Sequence, residues 1–230
     1  YVKLNPTLLG FDAVNHILHD QGYSYIQMDS SAFVHDLQYK DAVPMLKRLQ
    51  QFADEHGKQF GVKLSNTLGV ANPGQQLADD QMYMSGRALF PLTINLAAKL
   101  TEEFNGKLKI SYSGGAGFFN INQILKTGIF PITTATDLLK PGGYTRLFQI
   151  NKKTEEILPS IKKQDKIDRQ SLSDLAKDAL VNPLYYKTRH QEDSLKVDTS
   201  LPKFDCFISP CQENCPIHQD IPEYIRLILH

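Results

Sequence analysis

From residue 1 to about residue 150 the chain alternates short apolar runs with longer stretches of helical periodicity, and no other feature limits the available folds so tightly. A strand can reach a parallel partner only through a crossover of a dozen or more residues, usually a helix. Alternation of this kind therefore points to an α/β domain built on a parallel sheet. Val2–Leu4 reads as a strand, Asp12–Gln21 as a helix stopped by Gly22, and Tyr23–Met28 as the next strand. Ala42, Leu46, Leu49 and Ala53 then mark one helical face, with Pro44 in its first turn and Gly57 as its stop. Phe60–Leu64 is again a strand. After a polar loop through Asn72-Pro73-Gly74, Phe90, Ile94, Ala97, Leu100 and Phe104 form the stripe of the longest helix. Leu108–Tyr112 and Phe130–Thr133 complete five strands, with Ile121, Ile124 and Leu125 on a helix between them.

Five such units fit the later part of a (β/α)8 barrel, which needs eight strands and about 250 residues. A five-stranded doubly wound sheet is the structural alternative, but the first βα turn has no G-x-G-x-x-G fingerprint for a dinucleotide. The chain opens on a strand-like Tyr1-Val2-Lys3 and stops at His230 inside an apolar helical pattern, as a segment of a longer protein would.

Twenty-five basic residues balance 25 acidic ones, so charge gives no reason to expect nucleic acid or an anionic membrane as a partner. No run approaches the roughly 18 apolar residues that span a bilayer, and no basic-then-apolar leader is present. The three cysteines do not resemble a secreted disulfide framework, and a reducing, cytoplasmic setting is expected.

Chemistry-bearing residues collect in the last two units of the first 150 residues. Ser113-Gly114-Gly115-Ala116-Gly117 follows a strand and opens a helix, where glycines let backbone N–H groups approach an anion and the helix N-terminus adds partial positive charge. A tight turn with no ligand is the plain alternative. Thr133-Thr134-Ala135-Thr136 adds hydroxyl donors after the next strand, and a phosphate site after the last two strands recurs in barrels. Asp29 and His35 follow a strand end, where barrel active sites are built, but also read as a solvated carboxylate and a surface histidine. Asp137 and Arg146 read as anion binders or helix caps, with capping favoured. Met82, Tyr83 and Met84 read as packing residues. No general acid or base is assigned.

These residues carry a resemblance, over about residues 1–150, to the C-terminal half of the FMN-binding barrel of dihydroorotate and dihydropyrimidine dehydrogenases. Val2-Lys3-Leu4-Asn5-Pro6 resembles the strand bearing a flavin-contacting lysine, with Lys63 in Val62-Lys63-Leu64 an equal candidate. Ser65-Asn66-Thr67 resembles the family's Asn-Thr strand end, and Ser85-Gly86-Arg87-Ala88-Leu89-Phe90-Pro91 its S-G-x-A-L-x-P loop. Ser113-Gly114-Gly115 and Ala135-Thr136 fall at its phosphate-binding segments. The resemblance implies a flavin held by Lys3 or Lys63, Asn66, Thr67, Ser85, Gly86, Ser113, Gly114, Gly115, Ala135 and Thr136. A whole extra strand-helix unit is expected between Lys3 and Asn66, where the family has one helix.

Residues 151–200 are richer in charge and read as a helical linker, with Ser171 and Asp174 capping a helix whose Leu172, Leu175, Ala176 and Ala179 form one face. Residues 201–230 hold all the cysteines, as Cys206-x4-Cys211-x3-Cys215-Pro216. Thiolates at such spacings can bend a loop around a soft metal centre, and a Cys-Pro ending recurs in ferredoxin-like sites. Three readings stand: an iron–sulfur ligand set completed beyond residue 230, a zinc site that adds His218, or unconnected core cysteines.

With Ile217 to Ile225, the cysteine run resembles the start of the α-helical iron–sulfur domain of dihydropyrimidine dehydrogenase and the glutamate synthase small subunit. That resemblance implies [4Fe–4S] clusters, Cys206 and Cys211 serving one and Cys215 another; Lys203 stands where the family usually has a further cysteine. Barrel motifs followed by cluster motifs, with Leu138 to Tyr144 and Phe204-Asp205-Cys206, resemble the selenate reductase subunit family of bacterial iron–sulfur flavoproteins. Membership would imply FAD and NAD(P)H sites after the clusters, partner redox subunits, and electron flow from NAD(P)H through flavin and clusters to an acceptor. No residue reads as a selenate site. The rivals are a degenerate barrel that only docks the cluster domain on a partner subunit, and a zinc-binding module.

Overall fold

The computed structural model describes residues 1–73, 79–139, 142–161 and 165–187, together with Pro216, Ile217 and Gln219. The chain divides into two compact units, Tyr1–His190 and Gln191–His230. All the described elements belong to the first. The expected start of an iron–sulfur domain at 201–230 lies outside the described residues apart from those three positions.

Three strands, β1 (Val2–Leu4), β2 (Gly61–Leu64) and a later one at Lys109–Tyr112, form a parallel sheet in their order along the chain. A bridge from Tyr112 to Ile132 continues the same progression, through Tyr112 N–H to the Pro131 carbonyl at 2.8 Å and Thr133 N–H to the Tyr112 carbonyl at 2.7 Å. Each new parallel segment joins the same side of the sheet. A barrel is built by that winding, whereas a doubly wound sheet reverses at a switch point.

Side-chain alternation gives the sheet two unlike faces. Leu4, Val62, Leu64, Ile110 and Tyr112 are buried beneath helices. On the opposite face the register aligns Lys3 with Lys63 and Lys63 with Ser111.

The β1–β2 connection differs from the sequence expectation. It carries α1 (Phe11–Asp20), α2 (Ser30–His35) and α3 (Tyr39–Glu55), and no strand. Tyr23–Met28 is irregular: Tyr23, Ile26 and Met28 pack against a small core with Val14, Leu18 and Phe33 instead of entering the sheet. β1 and β2 are thus direct neighbours, and the extra strand expected between Lys3 and Asn66 does not exist. Gly22 and Gly57 do end α1 and α3, each at positive φ, with the following N–H turned back to Leu18 and Ala53 carbonyls. Because α3 begins at Tyr39, Pro44 lies in its second turn, and α3 with 17 residues exceeds the 15-residue α4 (Leu89–Glu103).

A second departure is an antiparallel hairpin, β3 (Leu68–Ala71) with β4 (Gln81–Met84), in the stretch read as loop. Phe130–Thr133 contributes only the single bridge at Ile132. α4 is buried on nearly every side, with Phe90, Leu92, Ile94, Leu96, Ala97 and Leu100 all at 0% exposure. It lies between the sheet that ends at β5 (Lys109–Tyr112) and later helices. Each of these side chains larger than Ala97 contributes roughly 1.5–3 kcal/mol. α5 (Ile121–Lys126) and α6 (Thr145–Glu155) follow. α7 (Arg169–Val181), from the segment read as linker, buries Leu172, Leu175, Ala176 and Ala179 in the same core as α4. Its cap is Asp168, whose carboxylate accepts from the Ser171 N–H at 3.1 Å and hydroxyl at 2.8 Å; Ser171 is a donor to the cap and not the cap itself.

Candidate functional site

Glycine at three places lets the loops beyond the sheet's C-terminal ends meet at backbone distance. Gly115 has φ +75°, and a Cβ there would stand 2.7 Å from both the Gly86 carbonyl oxygen and the Phe90 nitrogen. A Cβ on Gly86, at φ +74°, would stand 2.9 Å from the Thr136 methyl. Gly114, at φ +92°, leaves no room beside Thr93. The Ser85–Gly86, Ser113–Gly115 and Ala135–Thr136 segments are thereby drawn around one cavity of about 150 Å³, which Thr67 also lines.

Hydroxyls fix the frame behind it. Ser65 Oγ and Thr93 Oγ1 lie 2.8 Å apart, and Ser113 donates to the Ser65 carbonyl at 3.1 Å, tying the ends of β2 and β5 to α4. Asn120 accepts from the Gly117 N–H at 2.9 Å and donates to the Gly115 carbonyl at 3.0 Å. The N–H groups of Gly114, Gly115 and Ala116 donate to no acceptor among the described residues. Consecutive free N–H groups in a turn at positive φ form an anion-binding concavity.

Eight of the eleven residues expected at a flavin site line this cavity: Thr67, Ser85, Gly86, Ser113, Gly114, Gly115, Ala135 and Thr136. Lys63 stands behind its wall, with Nζ 3.4 Å from the Thr133 hydroxyl. Lys3 and Asn66 line a neighbouring recess with Asn5, Thr7 and Asp36. A larger cavity, about 590 Å³, adjoins at Thr67 and Asn66 and is roofed by Gly69, Val70, Ala71, Gln81 and Tyr83 of the hairpin. Its floor holds a polar cluster: Asp36 accepts from Asn5 Nδ2 at 3.0 Å and Thr7 Oγ1 at 2.6 Å, and Asn66 donates to Asn5.

Asp29 lines the larger cavity but caps α2, and its hydrogen bonds from Ser31 hold its carboxyl below the usual carboxylate range. His35 is exposed. Asp137 accepts from the Phe118 N–H at 3.0 Å, and the Arg146 guanidinium lies over the Phe118 ring. Met82 and Met84 pack on the smaller core while Tyr83 is exposed. Cys206, Cys211, Cys215, His218 and Lys203 lie outside the described residues; among those described, no cluster of three or more His, Cys, Asp or Glu could hold a metal.

Sequence reasoning missed Arg87, Asn120 and Asp36. Arg87 sits at the variable position of the S-G-x-A-L-x-P loop, where a motif gives no weight. Asn120 and Asp36 enter through loops that reach the site only in three dimensions.

Residues 1–187 match the family model described as "Oxidoreductase YgfK, N-terminal TIM-barrel domain". The chain belongs to this family. Relatives in Escherichia coli K12 and O157:H7, each named "Putative oxidoreductase YgfK", are 50% identical over 228 residues, which is 99% of the chain and 22% of each relative. The chain therefore spans about a fifth of the length of these relatives. No solved structure matches. The family description agrees with the sheet's winding: the fold is α/β of the TIM-barrel class, in an oxidoreductase family. No helix among the described residues is long and apolar enough to cross a membrane.

Proposed function

We propose that the barrel is the FMN-binding module of an iron–sulfur flavoprotein oxidoreductase. Electrons would pass between NAD(P)H, flavin and [4Fe–4S] clusters held in part by Cys206, Cys211 and Cys215, toward an acceptor as in the selenate reductase subunit type. FAD and the pyridine nucleotide would bind in the part of the relatives that follows this chain, and partner redox subunits would dock there. The observation that carries the reading is the convergence of three separated segments on one small cavity beside three free N–H groups.

The residues suit a phosphate ester. The cavity is far below the 300–1,000 Å³ of a whole-ligand site, so it fits an anionic end group, and the adjoining 590 Å³ cavity offers room for the remainder. Gly114, Gly115 and Ala116 would donate to the phosphate, helped by the hydroxyls of Ser85 and Thr136 and the N-terminal end of α4. Lys63 or Lys3, on the polar face of the sheet, would place a positive charge beside the ring system. FMN, when bound, supplies one- and two-electron transfer. Asn5, Asn66, Thr7 and Asp36 would orient a polar substrate or acceptor over it, and the β3–β4 hairpin would limit water.

The scaffold reading retains one observation: Gly114 and Gly115 are already required by packing against Thr93 and Phe90, with no ligand. Anaerobic purification of the intact protein, with absorption spectra and assays of iron, acid-labile sulfide and released flavin, separates the two. Iron, sulfide and FMN support the flavoprotein; iron, sulfide and FAD without FMN leave the barrel a scaffold; zinc alone overturns both.

A further inference from the structure

Among the described residues lining the 150 Å³ cavity, Arg87 is the single cation and Asp137 the single anion. Asp137 is spent on the Phe118 N–H. Arg87 is not comparably engaged. Its Nη1 reaches the Leu184 carbonyl at 3.3 Å, its guanidinium carbon stands 6.0 Å from the Phe119 ring centroid, and no carboxylate among the described residues pairs with it. A guanidinium has five N–H donors, so most remain available. Phe119 and Leu184 both line the same cavity, and they hold the guanidinium at its mouth while the Gly86–Ala88 turn sets its root next to the free N–H groups.

We propose that Arg87 is the residue that makes this site select a phosphorylated ligand, adding a forked, permanently charged donor to the neutral backbone cradle. The inference rests on the flavin reading and deepens it. Backbone N–H groups and hydroxyls accept any polar end group, including the free hydroxyl of riboflavin. A guanidinium distinguishes the two, because it pairs through two parallel bonds with a phosphate's negative charge, whereas to an alcohol it can donate only a single, weaker bond.

The test is titration of the deflavinated intact protein with FMN and with riboflavin, following quenching of flavin fluorescence, in the wild type, Arg87→Gln and Arg87→Lys. Arg87→Gln should weaken FMN about 10- to 100-fold, as the loss of one or two charge-assisted bonds would. Riboflavin should change by less than about threefold, and the salt dependence of FMN affinity should become shallower. Arg87→Lys should recover part of the FMN affinity through its point charge. Unchanged FMN affinity in Arg87→Gln, or equal losses for FMN and riboflavin, would overturn the assignment while leaving the flavin site standing. A wild-type protein that takes up no FMN would overturn the flavin reading, and the role of Arg87 with it.

Discussion

Replacing Gly115 by alanine tests the loop packing on which the cavity depends. Two costs add at this position. An L-residue held in the left-handed region costs roughly 1–2 kcal/mol. The new Cβ would also lie 2.7 Å from the Gly86 carbonyl and the Phe90 nitrogen, both backbone atoms that cannot rotate away, and overpacking of this kind costs about 1–3 kcal/mol. Gly57→Ala is the matched control: φ is +63° at the end of α3, but a Cβ there would meet no atom within 4 Å, so only the first cost applies. Reduced freedom of the unfolded chain offsets about 0.4–1 kcal/mol in both. The expected losses are about 2–4 kcal/mol for Gly115→Ala and about 1 kcal/mol or less for Gly57→Ala. At roughly 2–4 °C per kcal/mol for a unit of this size, thermal melts should differ by about 3–10 °C. Equal melting temperatures for the two variants would refute the claim that the three loops meet at backbone distance.

Tyr112 is fully buried with no partner for its hydroxyl among the described residues, and burial pushes its pKa well up, so Tyr112→Phe should leave stability unchanged or raise it by about 1 kcal/mol, read by denaturant unfolding; a clear loss would mean the hydroxyl is bonded. Asp168→Ala should cost about 1 kcal/mol at neutral pH. Hydrogen bonds from the Ser171 N–H and hydroxyl lower the Asp168 pKa in the folded state, so its charge stabilises fully above about pH 4 and that contribution is lost as pH falls through the folded value. Asp168→Asn, which keeps the cap, should flatten the acid limb of the stability profile; an unaltered limb counts against the assignment. Lys63→Met removes one of two register-aligned lysines and a long hydrogen bond to Thr133, and should leave the flavin-free protein within about 0.5 kcal/mol while loosening FMN. A fall in flavin-free stability would make Lys63 a structural residue.

How far the sequence disclosed this depends on how local each signal was. Gly22 and Gly57 end their helices as read, because a C-terminal cap is decided within a few residues. Leu172, Leu175, Ala176 and Ala179 share a buried face because helical period alone sets it. Tyr23–Met28 misled because aromatic and branched residues suit a strand and an apolar loop equally, and only the pairing of β1 with β2 decides between them. The hairpin was legible in principle: Leu68 and Val70 alternate with Gly69 and Ala71, and Met82 and Met84 with Gln81 and Tyr83, with the sequence Asn-Pro-Gly between them. Arg87 and Asp36 were not, since nothing near either in sequence tells that Leu184 and Phe119, or Asn5 and Thr7, will stand beside it.

The two faces of the sheet bear on why a barrel of this kind would hold an anionic ligand. A parallel sheet is ordinarily covered on both faces, and its strands read as continuous apolar runs. Here Val62, Leu64, Ile110 and Tyr112 are buried on the helix side, while Lys3, Lys63 and Ser111 form a row on the other. Neither lysine pairs with a carboxylate among the described residues, and Lys63 Nζ turns away from β1 to the Thr133 hydroxyl at 3.4 Å. An apolar filling would serve stability better. Such a row is retained at a cost where the interior receives a group carrying negative charge or strong acceptors, and the free N–H groups of Gly114, Gly115 and Ala116 lie at the same C-terminal end of the sheet. Cations without a carboxylate partner on the polar face of the sheet and unsatisfied donors beyond its end are two separate departures from the rules of a stable core, and one anionic ligand reaching from the 150 Å³ cavity toward the lysine row would relieve both.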